Sequence, residues 1–184
     1  HTKTWEFPHG FVRKTWNTET MVGPEAFWGD WRLAIALKQD GEQIIANAIK
    51  LVEERLKDYG QGPERYGLVH ADLRLANLLV DGEHLGIIDF DDCGFCWFAY
   101  DFAAAISFHE TDASIPILQN AWVEGYRSVA TLSEEDVNEI PTLIMLRRIL
   151  LTAWLASHFE TATGQELGPT YTDGTVTLAR EFLA

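Results

Sequence analysis

The spacing of apolar residues changes along this chain, and the changes divide it into segments. Ile44, Ile45, Ala48, Leu51, Val52, Leu56 and Tyr59 recur at helical spacing, which predicts a long amphipathic helix over 42–59, stopped by Gly60. Ahead of it, Pro24 is placed to open a helix reaching Lys38, with Asp40-Gly41 as its break. After the loop Gly60-Gln61-Gly62-Pro63 the period shortens. Tyr66 to His70, Asn77 to Val80 and His84 to Phe90 are short apolar runs of strand type, and Asp81-Gly82 between the last two is a hairpin signal. Helical spacing then returns. A buried helix is expected over Tyr100 to Phe108, with Asp101 as its N-cap, and another over 114–130. Ser133-Glu134-Glu135-Asp136 reads as a cap and acidic first turn for a long helix reaching about Phe159. Gly164 to Thr172 reads as loop and 173–183 as a final helix. Residues 1–23 carry Trp5, Phe7, Pro8, Phe11 and Trp16 without a clear period, as a connector that packs its aromatic rings on something. The expected fold class is α+β and mainly helical: a helical lobe over 24–184 with a small β-hairpin in its middle.

Composition narrows the picture. The 184 residues fit one domain or one large lobe, and 47% apolar content with seven Trp and ten Phe supplies a core. Fourteen basic against 28 acidic residues leave a net charge of −14. A nucleic-acid binder needs a basic surface to meet phosphates, so that class is set aside. An acidic surface attracts cationic ligands, although salt screens the pull within roughly 8 Å, and charge alone does not name a substrate. No wholly apolar run approaches the ~20 residues of a membrane helix; Leu143 to Leu155 is interrupted by Arg147 and Arg148. With no leader-like start, no membrane partner and a cytoplasmic location are expected. The chain begins His1-Thr2-Lys3, which reads as part of a longer product. Cys93 and Cys96 form C-x-x-C, half of a common zinc site, with no second pair to complete it. Asp89 to Asp92 just before them disfavour a thiolate, so two reduced, partly buried thiols are expected.

The segment that carries chemistry runs from Leu68 to Val80. It contains H-x-D-x-x-x-x-N as His70, Asp72 and Asn77, flanked by strand-like residues, and Ile87-Ile88-Asp89-Phe90 follows with its acid 17 positions after Asp72. Phosphoryl transfer rests mostly on positioning and charge neutralisation. One carboxylate must sit beside the attacking hydroxyl and accept its proton. Hard oxygen ligands must hold Mg²⁺ on the ATP phosphates, and one or two suffice because the phosphates supply others. The spacing lets Asp72 and Asn77 reach one cleft, and a returning hairpin delivers Asp89 to it. Asp72 is thus the candidate base, with Asn77 and Asp89 as candidate magnesium and nucleotide ligands.

These residues resemble the catalytic loop and metal-binding strand of the aminoglycoside phosphotransferase and choline kinase superfamily, relatives of protein kinases. Ala71 after His70, and Asp91 where a protein kinase has the glycine of D-F-G, point away from protein kinases. The run Ile88-Asp89-Phe90-Asp91-Asp92 with Tyr100-Asp101-Phe102-Ala103 is similar to small-molecule kinases of the homoserine-kinase-like type. The resemblance covers 66–104 and implies the C-terminal lobe of an ATP- and Mg²⁺-dependent kinase acting on a small-molecule hydroxyl. It gives Asp101 the role of holding the catalytic loop through backbone amides. It gives His70, counted among the catalytic candidates, a bracing role. Arg74 stands where relatives place Lys or His, either to touch the transferring phosphate or to pair with an acid. Asp91 and Asp92 are open between tuning the metal site, meeting a cationic substrate and capping a loop. Phe95, Trp97, Phe98, Tyr100, Trp154 and His158 are candidates for an aromatic cage or for core.

One part expected of a kinase is not legible. There is no G-x-G-x-x-G and no G-x-x-x-x-G-K-[ST], and Ala36-Leu37-Lys38 lies in helical pattern, unlike a nucleotide-binding lysine on a strand. A small N-terminal lobe of the same protein is therefore an expected partner, and this chain alone is expected to turn over little or nothing. The rival readings are a non-catalytic, pseudokinase-like binding module and a protein kinase.

Overall fold

The computed structural model describes residues 2–184. In chain order the elements are β1 (Lys14–Thr15), α1 (Thr18–Val22), α2 (Gln39–Tyr59), β2 (Tyr66–Val69), β3 (Leu78–Asp81), β4 (His84–Ile87), β5 (Gly94–Trp97), α3 (Tyr100–Ala105), α4 (Ile115–Arg127), α5 (Glu134–Ser157) and α6 (Ala162–Phe182). Short 3-10 turns lie at Thr2–Thr4, Trp31–Leu33 and Leu75–Asn77. The class is α+β and mainly helical, as the patterning predicts. The chain gathers into two compact units. One holds the residues up to Trp16 with Gly60–Ile140; the other holds Asn17–Tyr59 with Pro141–Ala184.

The first unit contains all the strands. β5 lies between β1 and β2, antiparallel to β2 with Tyr66 opposite Trp97 and Val69 opposite Gly94, and parallel to β1. This strand was not among those expected: Gly94-Phe95-Cys96-Trp97 shows no alternation, because the Cys and Trp on opposite faces are both buried. Gly94 is needed there, since a Cβ would come 2.6 Å from the Lys14 carbonyl oxygen. The connector aromatics pack as expected. Trp5, Phe7 and Phe11 cluster, and Phe7 meets Phe95 edge-on at 5.5 Å. The hairpin forms as β3–β4, with Asp81 opposite His84 and Gly82 at φ 58° in the turn. β4 ends at Ile87 rather than Phe90, because Asp89 takes φ 64° and leaves the extended region. α3 starts at Tyr100 with Ala99 as N-cap, so Asp101 is not the cap; it lies in the first turn with its carboxylate committed elsewhere.

The second unit is helical. α2 begins at Gln39, so Asp40-Gly41 open the helix and do not break one. Gly41 is there for contact: a Cβ would lie 2.9 Å from Val176 Cγ2, on α6. The helix expected over 24–38 is absent. Gly23-Pro24 and Gly29-Asp30 divide that stretch between α1, capped reciprocally by Asn17 and Thr20, and the turn Trp31–Leu33, capped by Asp30. Lys38 accordingly lies just ahead of α2, outside any helix. Gly164 to Thr172, expected as loop, belongs to α6. Thr161 caps that helix, and Gly168 lets Ile35 pack on its backbone.

α5 starts as expected, with Ser133 and Asp136 exchanging cap hydrogen bonds. By length and composition alone it could cross a membrane, but 78% of its most apolar stretch is buried in the protein. Helices apolar all round are found in cores. Its two arginines are only 1% and 4% exposed. Arg147 lies over the Trp28 ring, and Arg148 lies on Tyr171 while donating to Thr175 Oγ1 at 2.8 Å.

Candidate active site

The loop between β2 and β3 is held by backbone and side-chain bonds from three directions. β2 delivers His70 from a buried strand end. Asp101 then accepts two backbone hydrogen bonds, from His70 N at 3.0 Å and Ala71 N at 2.8 Å. Those bonds keep Ala71 at φ 66°, a left-handed conformation that costs a non-glycine residue roughly 1–2 kcal/mol. The role that the resemblance implied for Asp101 is thus visible as geometry. His70 is turned inward. Its Nδ1 accepts from Asp72 N at 3.3 Å, which assigns the proton to Nε2, and Nε2–H donates to the Ile88 carbonyl at 3.0 Å. Its ring packs on Phe90 at 4.6 Å. With both nitrogens so engaged, His70 braces the loop against the segment carrying Asp89.

Asp72 is 8% exposed and Asn77 4%. The amide nitrogen of Asn77 donates to the Asp72 carbonyl at 2.8 Å and to Asp72 Oδ2 at 3.1 Å. Arg74 places Nε 3.2 Å from the same Oδ2, so of its two expected roles the structure displays the pairing with an acid. Arg74 also precedes the turn Leu75–Asn77 as its N-cap residue. Asp89 is exposed and is brought to the Asn77 end of the hairpin, where Ile88 N donates to the Asn77 carbonyl at 3.1 Å. The five residues His70, Asp72, Arg74, Asn77 and Asp89 therefore occupy one loop and one hairpin end.

Both amide hydrogens of Asn77 are directed at Asp72, which leaves its hard amide oxygen as the atom a cation can meet. Asn77 and Asp89 together offer an amide oxygen and a carboxylate. That donor set suits Mg²⁺, which takes its remaining ligands from phosphate and water. Among the described residues no group of three or more His, Cys, Asp or Glu could hold a metal by itself.

The other candidates lie elsewhere. Asp92 is tied to β1: it pairs with Lys14 at 2.6 Å, and its carbonyl accepts from Trp16 Nε1 at 2.7 Å. Sequence reasoning had no signal for that tie, because β1 is two residues long. Asp91 is exposed. Trp97, Phe98 and Tyr100 are buried core, Trp97 meeting Tyr66 edge-on. In the helical unit Trp154 and His158 stack on each other at 4.6 Å. Cys93 and Cys96 are buried free thiols. Burial pushes the Cys93 thiol up; Arg13 opposes this and Asp101 adds to it. A cavity of about 670 Å³ meets the loop at His70 and Leu73 and is lined also by Phe90, Cys93 and Asp101, and by none of Asp72, Arg74, Asn77 or Asp89.

Comparison with known proteins places the chain in a family. Residues 7–132 match the phosphotransferase enzyme family. The chain is 25% identical over 176 residues to the amicoumacin kinase of Bacillus subtilis, covering 90% of this chain and 49% of that protein. It is 31% identical over 115 residues to the homoserine kinase of Neisseria meningitidis, covering 60% of this chain and 36% of that protein. Among solved structures, a microcompartment-associated aminopropanol kinase matches all of this chain, and 57% of its own, at a TM-score of 0.94 and 41% identity. An amicoumacin kinase complexed with AMP-PNP, Ca²⁺ and Ami shares the fold at a TM-score of 0.71 and 20% identity, covering 96% of this chain and 54% of that one. The chain spans about half the length of the proteins it matches, and it belongs to the phosphotransferase enzyme family, a family of ATP-dependent small-molecule kinases.

Proposed function

We propose that this chain is the catalytic lobe of a kinase that transfers the γ-phosphoryl group of ATP to the hydroxyl of a small amino alcohol. The observation that carries the reading is the pair Asp72–Asn77. A buried carboxylate is oriented by an amide whose oxygen stays available to a cation, on a loop whose backbone Asp101 holds. Asp72 orients the acceptor hydroxyl and takes its proton as that oxygen bonds to phosphorus and the bond to ADP breaks. Arg74 steadies the Asp72 carboxylate and brings a positive charge to the loop that can share in neutralising the phosphoryl oxygens. Asn77 and Asp89 would hold Mg²⁺, which when bound offsets the negative charge of the phosphates. The acceptor class is supported by 41% identity across the whole chain to an aminopropanol kinase and by the net charge of −14. The exposed apolar side chains of the β3–β4 hairpin fit a surface that nucleotide and a small lobe close over.

The test is ADP release by the full protein that carries this chain, offered Mg-ATP and amino alcohols, beside Asp72→Asn. Amine-dependent release that falls by about 10²- to 10⁴-fold in the variant is expected. Undiminished release from Asp72→Asn would remove Asp72 from the chemistry. No release from the wild type with any small hydroxyl compound would favour a non-catalytic binding module.

A further inference from the structure

The strand-bearing unit has a second, smaller cavity of about 330 Å³, lined in part by Leu75, Phe102, His109, Asp112, Leu118 and Trp122. We propose that this cavity selects the acceptor, taking a short primary alkanolamine whose ammonium group is held by Asp112. The proposal rests on the phosphotransferase reading and adds the residues that choose its substrate.

Position is the first argument. Leu75 belongs to the turn Leu75–Asn77 that Arg74 caps and that sets Asn77 against Asp72. A ligand against Leu75 therefore touches the turn that carries Asn77, whereas the larger cavity meets the loop at His70 and Leu73. Charge is the second. Among the described residues, Asp112 is the acidic one lining the smaller cavity, with His109 beside it and no Lys or Arg. Its Oδ1 accepts the Ser114 amide at 2.8 Å, which fixes the carboxylate at the mouth of α4. Hydrogen bonds from Ser114 hold its carboxyl below the usual range, so it is anionic throughout neutral pH. Shape is the third. Phe102, Leu118 and Trp122 supply an apolar wall for a short carbon skeleton. A volume of about 330 Å³ is at the lower end of the roughly 300–1,000 Å³ found for small-molecule sites. That volume suits a compact acceptor.

The experiment uses the full protein with Mg-ATP and two acceptors of similar size, 1-amino-2-propanol and the uncharged 1,2-propanediol. Asp112→Asn keeps an acceptor for the Ser114 amide and removes only the charge. Its expected effect is a rise of about tenfold or more in KM for the amine, with the ratio of kcat/KM for amine over diol falling by a similar factor. Leu118→Trp, at a half-exposed position that tolerates bulk, should raise KM for both acceptors. An amine KM and an amine-to-diol ratio within twofold of wild type in Asp112→Asn would overturn the proposal. So would a wild type that prefers the diol. Asp72→Asn tests the phosphotransferase reading in the same assay. Calorimetric titration of 1-amino-2-propanol into wild type and Asp112→Asn reads the pocket without turnover. Equal affinities there would overturn the pocket assignment, whatever the kinetics show.

Discussion

In the three-stranded sheet, β2 and β5 leave Leu68, Val69, Cys96 and Trp97 at 7% exposure or less, whereas the β3–β4 hairpin leaves Leu79, Val80, Leu85 and Ile87 between 44% and 75% exposed. The two elements flank the same loop. The sheet anchors it: buried apolar contacts fix Val69, and Asp101 from the helix after β5 fixes the next two amides. The hairpin delivers Asp89 with little packing of its own, and a lone two-stranded hairpin is marginal in water. What holds it here is a pair of bonds at Ile88, whose N–H donates to the Asn77 carbonyl and whose carbonyl accepts from His70 Nε2–H. The contrast separates a rigid side, where the proposed base is set, from an open side, where ligands have to come and go.

The sharpest way to break this comparison is to remove one carboxylate from each side. Asp101→Ala deletes two charge-assisted hydrogen bonds and frees a strained Ala71. A stability loss on the order of 3 kcal/mol or more in denaturant unfolding is expected, with activity lost as well. Asp89→Asn should move stability by no more than about 0.5 kcal/mol while lowering activity by roughly 10²-fold or more. Equal stability losses would erase the distinction. A smaller effect separates the apolar faces. Val69→Ala should cost about 2 kcal/mol and Val80→Ala about 0.5 or less, measured the same way.

The smallest effect concerns the anchoring sheet alone. Burial, with an added contribution from Cys96, raises the Tyr66 hydroxyl above its usual 10.0, and the hydroxyl donates to the Phe95 carbonyl. Cys93 is raised above 9.0 in the same direction. Each group stays protonated in the fold at pH values where the unfolded chain has released its proton. Their contribution is therefore complete below those usual values and is lost as pH climbs past them. The melting temperature should fall between pH 9 and pH 11, and less steeply in Tyr66→Phe. Identical slopes would exclude Tyr66 as a source.

Much of the fold could be read from local pattern. The spacing of Ile45, Ala48, Val52 and Leu56 announces α2, Asp81-Gly82 announces the hairpin, and Ser133 with Asp136 announces the start of α5. Such signals are carried by neighbours in sequence, so they survive without tertiary context. Glycines misled where their use was tertiary. Gly41 and Gly168 read as breaks, yet each sits inside a helix because another side chain packs where its Cβ would be. β5 and β1 were invisible because both faces of one are buried and the other is two residues long.

The same division holds at the site. Sequence alone determined that His70, Asp72, Asn77 and Asp89 stand at a spacing suited to phosphoryl transfer, since that spacing is a property of the chain itself. Only tertiary structure decided how they are used. It turned both nitrogens of His70 inward, paired Arg74 with Asp72, tied Asp92 to Lys14, and put Asp112 in a cavity with Leu75. Each of these depends on residues brought together by folding, and a side chain's role follows from the partners that burial and hydrogen bonding leave it.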